Sequence, residues 1–305
     1  MSAAIRTENL VRNFRRTEAL RGLDLEVAEG ETYALVGPNG AGKTTAIKIL
    51  MNILEPTSGR AEILGMHSWE MIGKALCSVG YVSENQVLPE WMRAGAFLAY
   101  LRPFYPDWDG DLERELVKQF DLPLERRLRQ LSRGMRMKVA LASVLAYRPR
   151  LVVLDEPFSG LDPLVRDELI QSLKQRAGAA TVFIASHDLA EVESVATHVG
   201  YLEHGRLEFS EEMVSLASRF RQVEVTFTSP PGLPEKLPES WMQLAVTADT
   251  VKFIESRFQA ERTTAEIRQV FGETRNVAFT PISLRSIFVA MARAGRKPPS
   301  QEASA

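Results

Sequence analysis

The sequence lacks the features that would indicate a secreted or membrane-spanning protein. Its one cysteine among 305 residues, Cys77, has no partner for an internal disulfide, which fits a reducing compartment. No apolar run approaches the roughly 20 residues that a membrane-spanning helix needs, and residues 1–8 lack the apolar core of a signal peptide. We therefore expect a soluble, cytoplasmic protein that meets a membrane only through a partner.

The sequence also lacks a strong excess of either charge. Its 37 lysines and arginines nearly balance its 39 aspartates and glutamates, and the formal net charge is −2. Without a basic field, no nucleic-acid partner is expected. The apolar share of 45% and charged share of 25% are typical of a soluble globular protein. The length allows one large or two modest domains.

What the sequence does contain is a phosphate-binding loop with the pattern G-x-x-x-x-G-K-T. A strand-like run at 33–36 precedes it and a helix-like run at 44–50 follows, which is the context that this motif needs. The glycines let backbone N–H groups aim at phosphate oxygens, and the helix points its positive end at the same anion. Lys43 is predicted to contact the β- and γ-phosphates, and the Thr44 hydroxyl is predicted to ligate Mg²⁺. The predicted nucleotide-binding residues of this loop are Gly37, Pro38, Asn39, Gly40, Ala41, Gly42, Lys43, Thr44 and Thr45.

Two further buried strands are predicted to end in catalytic side chains. The apolar run 151–154 ends in Asp155 and Glu156. Asp155 is suited to hold Mg²⁺ directly or through water, and Glu156 to accept a proton from an attacking water. The run 181–185 leads to His187, which is placed to reach a γ-phosphate. The alternatives are a solvated acidic turn and a structural histidine.

Four other residues carry weaker signals. Phe14 lies between two alternating segments, predicted as antiparallel strands, and is either a core aromatic or a flat surface for a base. Ser132 and Gly134 precede a predicted helix, as an anion seat or an ordinary N-cap. Glu84 lies in a polar turn after the strand 78–82, at the end of a strand where α/β sheets place ligand contacts.

The pattern of elements divides the chain. Residues 1–209 alternate strands and helices, with an inserted, purely helical part at about 91–148 and a helix predicted at 69–76. Residues 210–295 form a smaller α+β region, with a helix predicted at 211–220 and no catalytic constellation. Residues 296–305 have the composition of a disordered tail.

Together, these stretches resemble the ATP-binding subunit of ABC transporters over roughly the first two-thirds of the chain. The matches are the Walker A loop (37–45), Walker B with the catalytic glutamate (154–156), the signature (131–135), the D-loop (159–162, with Asp162) and the switch histidine (His187). Phe14 falls where the family places an aromatic that stacks on adenine. The resemblance implies an α/β fold: a P-loop NTPase (RecA-like) core with an antiparallel β subdomain and an inserted helical subdomain, plus a small α+β C-terminal domain.

The chain departs from the usual family pattern at two sites. The signature carries Arg133 and Met135 where the family usually has Gly and Gln, while Ser132 and Gly134 are kept. Glu84 replaces a metal-contacting Gln; it can still ligate Mg²⁺ but adds negative charge near the triphosphate. Glu84 and the segments 105–109 and 281–288 are similar to the branch of bacterial exporters with a separate ABC-2-type permease.

The resemblance implies a head-to-tail dimer, of identical or different subunits, around two ATP molecules. Each ATP lies between the Walker A loop of one subunit and Ser132 and Gly134 of the other. Thr44, Asp155 and Glu84 face Mg²⁺, Glu156 polarises water, and His187 aligns the γ-phosphate. Hydrolysis would power export through a permease at the inner face of the cell membrane. The alternative is a soluble ABC ATPase that acts as a mechanical or regulatory module without transport.

Overall fold

A computed structural model describes residues 2–175, 179–228, 232 and 236–295. The chain forms two compact units, Met1–Glu211 and Glu212–Ala305, which divide two residues beyond the expected boundary. Within the described ranges, no helix has the length and apolar content to cross a bilayer. The tail expected at 296–305 lies outside the described residues.

An antiparallel sheet opens the first unit, with strand order β2-β1-β4-β5. Its strands are β1 (Ala3–Phe14), β2 (Thr17–Ala28), β4 (Ser58–Ile63) and β5 (Met66–His67). Phe14 pairs with Thr17 at the end of the β1–β2 hairpin. Leu23, Leu25 and Val27 of β2 are buried while Asp24 and Glu26 between them are exposed, so the prediction of antiparallel strands from the alternating pattern is confirmed.

The central sheet has the strand order β10-β9-β3-β8-β7-β6. Its strands are β3 (Thr32–Val36), β6 (Val79–Val82), β7 (Leu151–Asp155), β8 (Thr181–Ser186), β9 (His198–Glu203) and β10 (Arg206–Glu212). Every residue of β3, β7 and β8 is buried. These three strands run parallel, so their carboxyl ends lie at one edge of the sheet.

Helices cover both faces of this sheet, which explains the apolar strand sequences. Val153 of β7 packs with α1 in one core cluster, whereas Val152 and Leu154 pack with α3 and α4 in another. The helices of the first unit are α1 (Lys43–Leu50), α2 (Ala94–Leu101), α3 (Gly110–Gln119), α4 (Arg133–Leu145), α5 (Pro163–Gln175) and α6 (Leu189–Val195). The named elements of residues 83–150 are all helical, as the sequence predicts for this stretch.

The helix predicted at 69–76 is wrong. The chain instead forms two short 3₁₀ turns, Ser68–Glu70 and Gly73–Ser78. Ile72 between them is extended, and Gly73 has a positive φ of 55°. Neither conformation belongs to an α-helix, and buried Met71 holds the break against the core.

In the residues that the structure describes, the second unit contains the antiparallel sheet β12-β13-β11-β14 and three helices. Its elements are α7 (Met213–Arg219), β11 (Arg221–Thr226), β12 (Trp241–Val246), β13 (Thr250–Glu255), α8 (Ala260–Phe271), β14 (Asn276–Thr280) and α9 (Leu284–Gly295). Trp241 stacks on Phe253 and Phe271 in its core. The first helix begins at Met213, because β10 continues to Glu212 where the sequence predicted helix from 211.

Candidate active site

A cavity of about 690 Å³ lies where the loops after β3 and β7 meet the β1–β2 hairpin. It is open on one side and brings together most of the residues that the sequence singles out. The predicted residues that line it are Phe14, Asn39, Gly40, Ala41, Gly42, Lys43, Thr44, Thr45, Glu84, Glu156 and His187. Thr17, Ala19 and Ser159 also line it, although the sequence analysis did not select them.

The loop before α1 has a backbone that only glycine adopts readily. Gly40 and Gly42 have φ values of 83° and 113°, which L-residues rarely adopt. A Cβ on Gly37 would lie 2.1 Å from the Leu202 carbonyl oxygen. Helix α1 begins directly after Gly42 with no side-chain cap, so its first amide groups face the cavity without an internal acceptor. This arrangement is suited to bind an anion.

Lys43 is held inside this loop. Its Nζ donates to the carbonyl oxygen of Gly37 at 2.6 Å and to that of Pro38 at 3.3 Å. The same atom lies 3.4 Å from Glu156 Oε1, and both side chains are buried. The ammonium therefore stands between the phosphate loop and the carboxylate that follows β7.

Thr44 and Asp155 form a second contact at the base of the site. Thr44 Oγ1 donates to Asp155 Oδ1 at 3.1 Å. Burial raises the pKa of Asp155 and the charges of Glu156 and Glu84 raise it further, against the hydrogen bond from Thr44 that lowers it. Asp155 thus lies within the electrostatic influence of two other carboxylates and one lysine, and a bound cation would offset the excess negative charge.

These donors fit magnesium that is shared with a phosphate ligand. Hydroxyl and carboxylate oxygens are the donors that Mg²⁺ prefers, and it is usually held by one or two carboxylates together with substrate phosphates. Within the residues that the structure describes, no group of three or more His, Cys, Asp or Glu side chains is arranged to hold a metal alone. The Thr44–Asp155 pair matches the shared mode of binding.

Glu156 and His187 contact each other at the edge of the sheet. His187 Nδ1 lies 2.7 Å from Glu156 Oε2. An ionised carboxylate only accepts hydrogen bonds, so Nδ1 carries the proton and Nε2 of a neutral ring is left as an acceptor. Glu156 has a φ of 50°, and its amide donates to the Ala185 carbonyl oxygen at 2.9 Å. A non-glycine residue with this strained backbone is a frequent mark of a functional site.

Comparison with known proteins identifies the family. The family model described as ABC transporter matches residues 20–159. The bacitracin transport ATP-binding protein BcrA of Bacillus licheniformis is 32% identical over 212 residues, which cover 68% of this chain and 69% of that protein. This chain belongs to the family of ABC transporter ATP-binding proteins.

Other similarities extend over most of the first unit of this ABC protein. An ABC transporter ATP-binding protein of Synechocystis is 37% identical over 203 residues, 63% of this chain. The match spans only 56% of that relative's own length. A solved ATP-binding subunit of an ABC transporter has a TM-score of 0.65 and 27% identity, over 70% of this chain and 92% of that subunit. The predicted family and P-loop NTPase fold are thus confirmed.

Besides Gly37 and Pro38 of the phosphate loop, three predicted nucleotide-binding residues of the ABC protein are not among those that line its own cavity. Ser132 Oγ accepts from the Met135 amide at 3.2 Å and caps α4. Gly134 packs against α5, where an added Cβ would lie 3.0 Å from Val165. Asp162 Oδ1 accepts from the first amides of α5 at 3.1 Å. Their roles toward nucleotide stay predictions.

A buried network lies behind His187 and carries no sequence motif. Ser186 Oγ donates to Glu191 Oε2 at 3.2 Å, and Arg166 Nη1 donates to Glu191 Oε1 at 3.4 Å. Burial raises the pKa of Glu191, and the charge of Asp188 raises it further. The network fixes the end of β8 immediately before His187. In the sequence, the one signal that could have revealed this network was an acidic residue, Glu191, on the apolar face of α6.

The variant Glu191→Gln is expected to weaken the pH dependence of stability. Because the pKa of Glu191 is raised in the folded chain, ionisation of this group lowers stability as the pH rises from the unfolded value of about 4.3 through the folded value. Glutamine has no proton to lose. Calorimetry from about pH 4 to about pH 8 should therefore show a smaller fall in melting temperature for the variant than for the wild type.

Asp167→Asn provides the matched control, because Asp167 is exposed on α5. Its melting temperature should follow the wild-type pH profile. Equal slopes for wild type and Glu191→Gln would contradict the assignment.

Proposed function

We propose that this chain binds ATP and Mg²⁺, hydrolyses ATP as one half of a dimer, and powers export through a separate ABC-2-type permease. The observation that carries the proposal is the meeting of three groups in one cavity. These are the phosphate loop with Lys43, the hydroxyl of Thr44 with buried Asp155 hydrogen-bonded behind it, and the Glu156–His187 pair. An anion seat, a cation site and a proton acceptor together are what phosphoryl transfer to water needs.

The triphosphate would lie along the loop before α1. The amides of the first turn of α1 and the flexible glycines supply N–H donors, and Lys43 places its charge on the β- and γ-phosphates. Lys43 would exchange its contacts with the Gly37 and Pro38 carbonyls for phosphate oxygens. Phe14, 45% exposed and lining the same cavity, offers a ring face to the adenine.

Mg²⁺ would be held by Thr44 and Asp155, with Glu84 nearby, and would neutralise charge on the β- and γ-phosphates. Glu156 would accept the proton of the attacking water, since its carboxylate faces the cavity and is fixed from both sides by Lys43 and His187. His187 would hold the γ-phosphate and water in line through its outer edge.

A second subunit would complete each site. Ser132, Gly134 and Asp162 are used at helix starts and do not line the cavity of their own chain. Ser132 Oγ accepts from the Met135 amide, so its own O–H remains able to donate to a phosphate. The amide groups at the positive end of α4 would add to this contact.

Export through a membrane partner rests on the relatives and on the branch resemblance. BcrA of Bacillus licheniformis is named for bacitracin transport and matches more than two thirds of its length to this chain. The ATPase would lie at the cytoplasmic face of the membrane and pass closure and opening of its dimer to the permease. The competing function is that of a mechanical or regulatory ATPase without transport.

The variant Phe14→Ala is expected to weaken ATP binding by about 5- to 150-fold, because stacking of a base on an aromatic ring contributes about 1–3 kcal/mol. Inorganic triphosphate has no base and should bind both proteins equally. Isothermal titration calorimetry measures both ligands. Phe104→Ala, an exposed ring outside the cavity lining, is the matched control. Equal ATP affinity in Phe14→Ala and wild type would exclude the stacking role.

The variant Glu156→Gln is expected to keep ATP affinity and to lose turnover by about 10²- to 10⁴-fold, since the amide cannot accept the proton of water. With ATP and Mg²⁺ it should elute as a dimer, because the reopening step is removed. Phosphate release and size-exclusion chromatography measure the two effects. Glu208→Gln, exposed on β10, should match the wild type. Full turnover in Glu156→Gln would overturn the base assignment.

The transport proposal predicts a membrane partner. Tagged Glu156→Gln protein, incubated with detergent-solubilised membranes, ATP and Mg²⁺, should recover a polytopic membrane protein in near-equal amount by mass spectrometry. The same capture without nucleotide is the control for non-specific binding. Recovery of only ribosomal, DNA-associated or soluble partners would favour the mechanical or regulatory function.

A further inference from the structure

Two ion pairs join the loop after β6 to the first turn of α4. Arg133 Nη2 lies 3.9 Å from Glu84 Oε1, and Arg136 Nη1 lies 3.9 Å from Glu90 Oε1. Both carboxylates come from residues 83–93, and both guanidinium groups come from the start of one helix. The loop is therefore connected to α4 by two ion pairs of similar geometry. The two pairs differ in the residues and cavities that surround them.

The start of α4 has an unusual charge. The positive end of a helix dipole favours acidic residues, yet the first turn of α4 has none and instead carries Arg133 and Arg136. The loop after β6 supplies the missing carboxylates from outside the helix. Each pair is roughly half-exposed, so each contributes little to stability. We therefore expect the ion pairs to affect where the carboxylates lie rather than how stable the protein is.

Only the first of the two pairs reaches the nucleotide cavity. Glu84 lines that cavity and also an adjoining groove of about 280 Å³, where Arg133 and Arg136 lie. Glu90 lines neither of them. The guanidinium of Arg133 also lies against the loop that follows Glu156, because a Cβ built on Gly160 would be 3.0 Å from its Nη1. Arg133 thus stands between Glu84 and the loop after β7.

Glu84 is the third carboxylate near the predicted metal position, after Asp155 and Glu156. Its charge repels a bare triphosphate and attracts a cation. Pairing with Arg133 compensates the charge and directs the carboxylate toward α4. Both residues stand at positions where the chain departs from the usual family pattern, and the structure brings these two departures into contact.

We propose that Arg133 is a positioning residue for Glu84, and that their ion pair within one subunit sets how much negative charge faces the metal side of the nucleotide cavity. The inference rests on the proposed binding of ATP and Mg²⁺. Arg133 acts through Glu84 in this role and does not need to touch the nucleotide of its own subunit.

A double-mutant cycle tests the proposal with Arg133→Ala, Glu84→Gln and the double variant. ATP affinity is measured by isothermal titration calorimetry with Mg²⁺ and with EDTA. In Arg133→Ala the free Glu84 carboxylate should weaken ATP binding in EDTA by about 3- to 10-fold, a usual coupling for contacting groups. Affinity with Mg²⁺ should change by less than about twofold, since the same carboxylate attracts the cation. The ratio of the ATP affinity with Mg²⁺ to the ATP affinity with EDTA should therefore be higher in Arg133→Ala than in the wild type.

The double variant should return this ratio to within about twofold of that of Glu84→Gln alone, and Arg133→Lys should retain the wild-type ratio because it keeps the charge. Arg136→Ala is the matched control, since it breaks the equivalent pair whose carboxylate lies outside the cavity. Its ratio should be that of the wild type.

The outcomes separate the two proposals. If Arg133→Ala has an effect of equal size with and without Glu84, Arg133 acts on ATP directly. If the affinity ratio is unchanged, the contact is an ordinary surface ion pair. Each of these outcomes overturns the inference about Arg133 and leaves the proposed function standing. Equal losses with Mg²⁺ and EDTA, together with a lowered melting temperature, would indicate a structural effect and also overturn the inference. A wild-type protein that binds no ATP would overturn the proposed function itself.

Discussion

The candidate site depends on the parallel register of three buried strands. Val36 of β3 is paired with Ser186 of β8, and Asp155 of β7 with Ala185 of β8. This register brings the loops after the three strands to one edge, where Lys43, Glu156 and His187 meet. Alternate side chains of β7 pack in two different core clusters, so a slip of one residue would move each of them to the opposite helical layer.

The charges at this edge constrain one another. Glu156 is buried and has a left-handed backbone, which is costly for a residue with a side chain. It is held there by an amide contact to β8, by the Lys43 ammonium and by the His187 ring. A buried carboxylate needs such partners, and the same partners leave it aimed at the position of an incoming ligand. The contacts that stabilise this loop therefore also orient the Glu156 carboxylate.

The sequence allowed prediction of the parts that depend on short-range pattern. The loop 37–45, the apolar strands and the carboxylates that end them are each encoded within ten residues. Contacts between distant segments were not predictable: Glu191 with Arg166, Ser159 in the cavity, and Arg133 with Glu84. The wrong helix at 69–76 has a local cause, since helical propensity did not reveal the positive φ of Gly73. The roles of the site residues stay predictions, because geometry places side chains without showing what they bind.

Helix starts explain why one chain presents only part of the expected site. Helix α1 begins uncapped inside the cavity, whereas α4 and α5 begin with Ser132 and Asp162 as internal caps. At a capped helix start, a side chain of the same subunit accepts hydrogen bonds from some of the first amide groups, and this contact keeps the preceding loop ordered. Ser132 still has a hydroxyl proton to donate, and the Arg133 beside it faces Glu84. The surface around α4 is thus preorganised by contacts within its own subunit, and those contacts extend to a carboxylate of the nucleotide cavity.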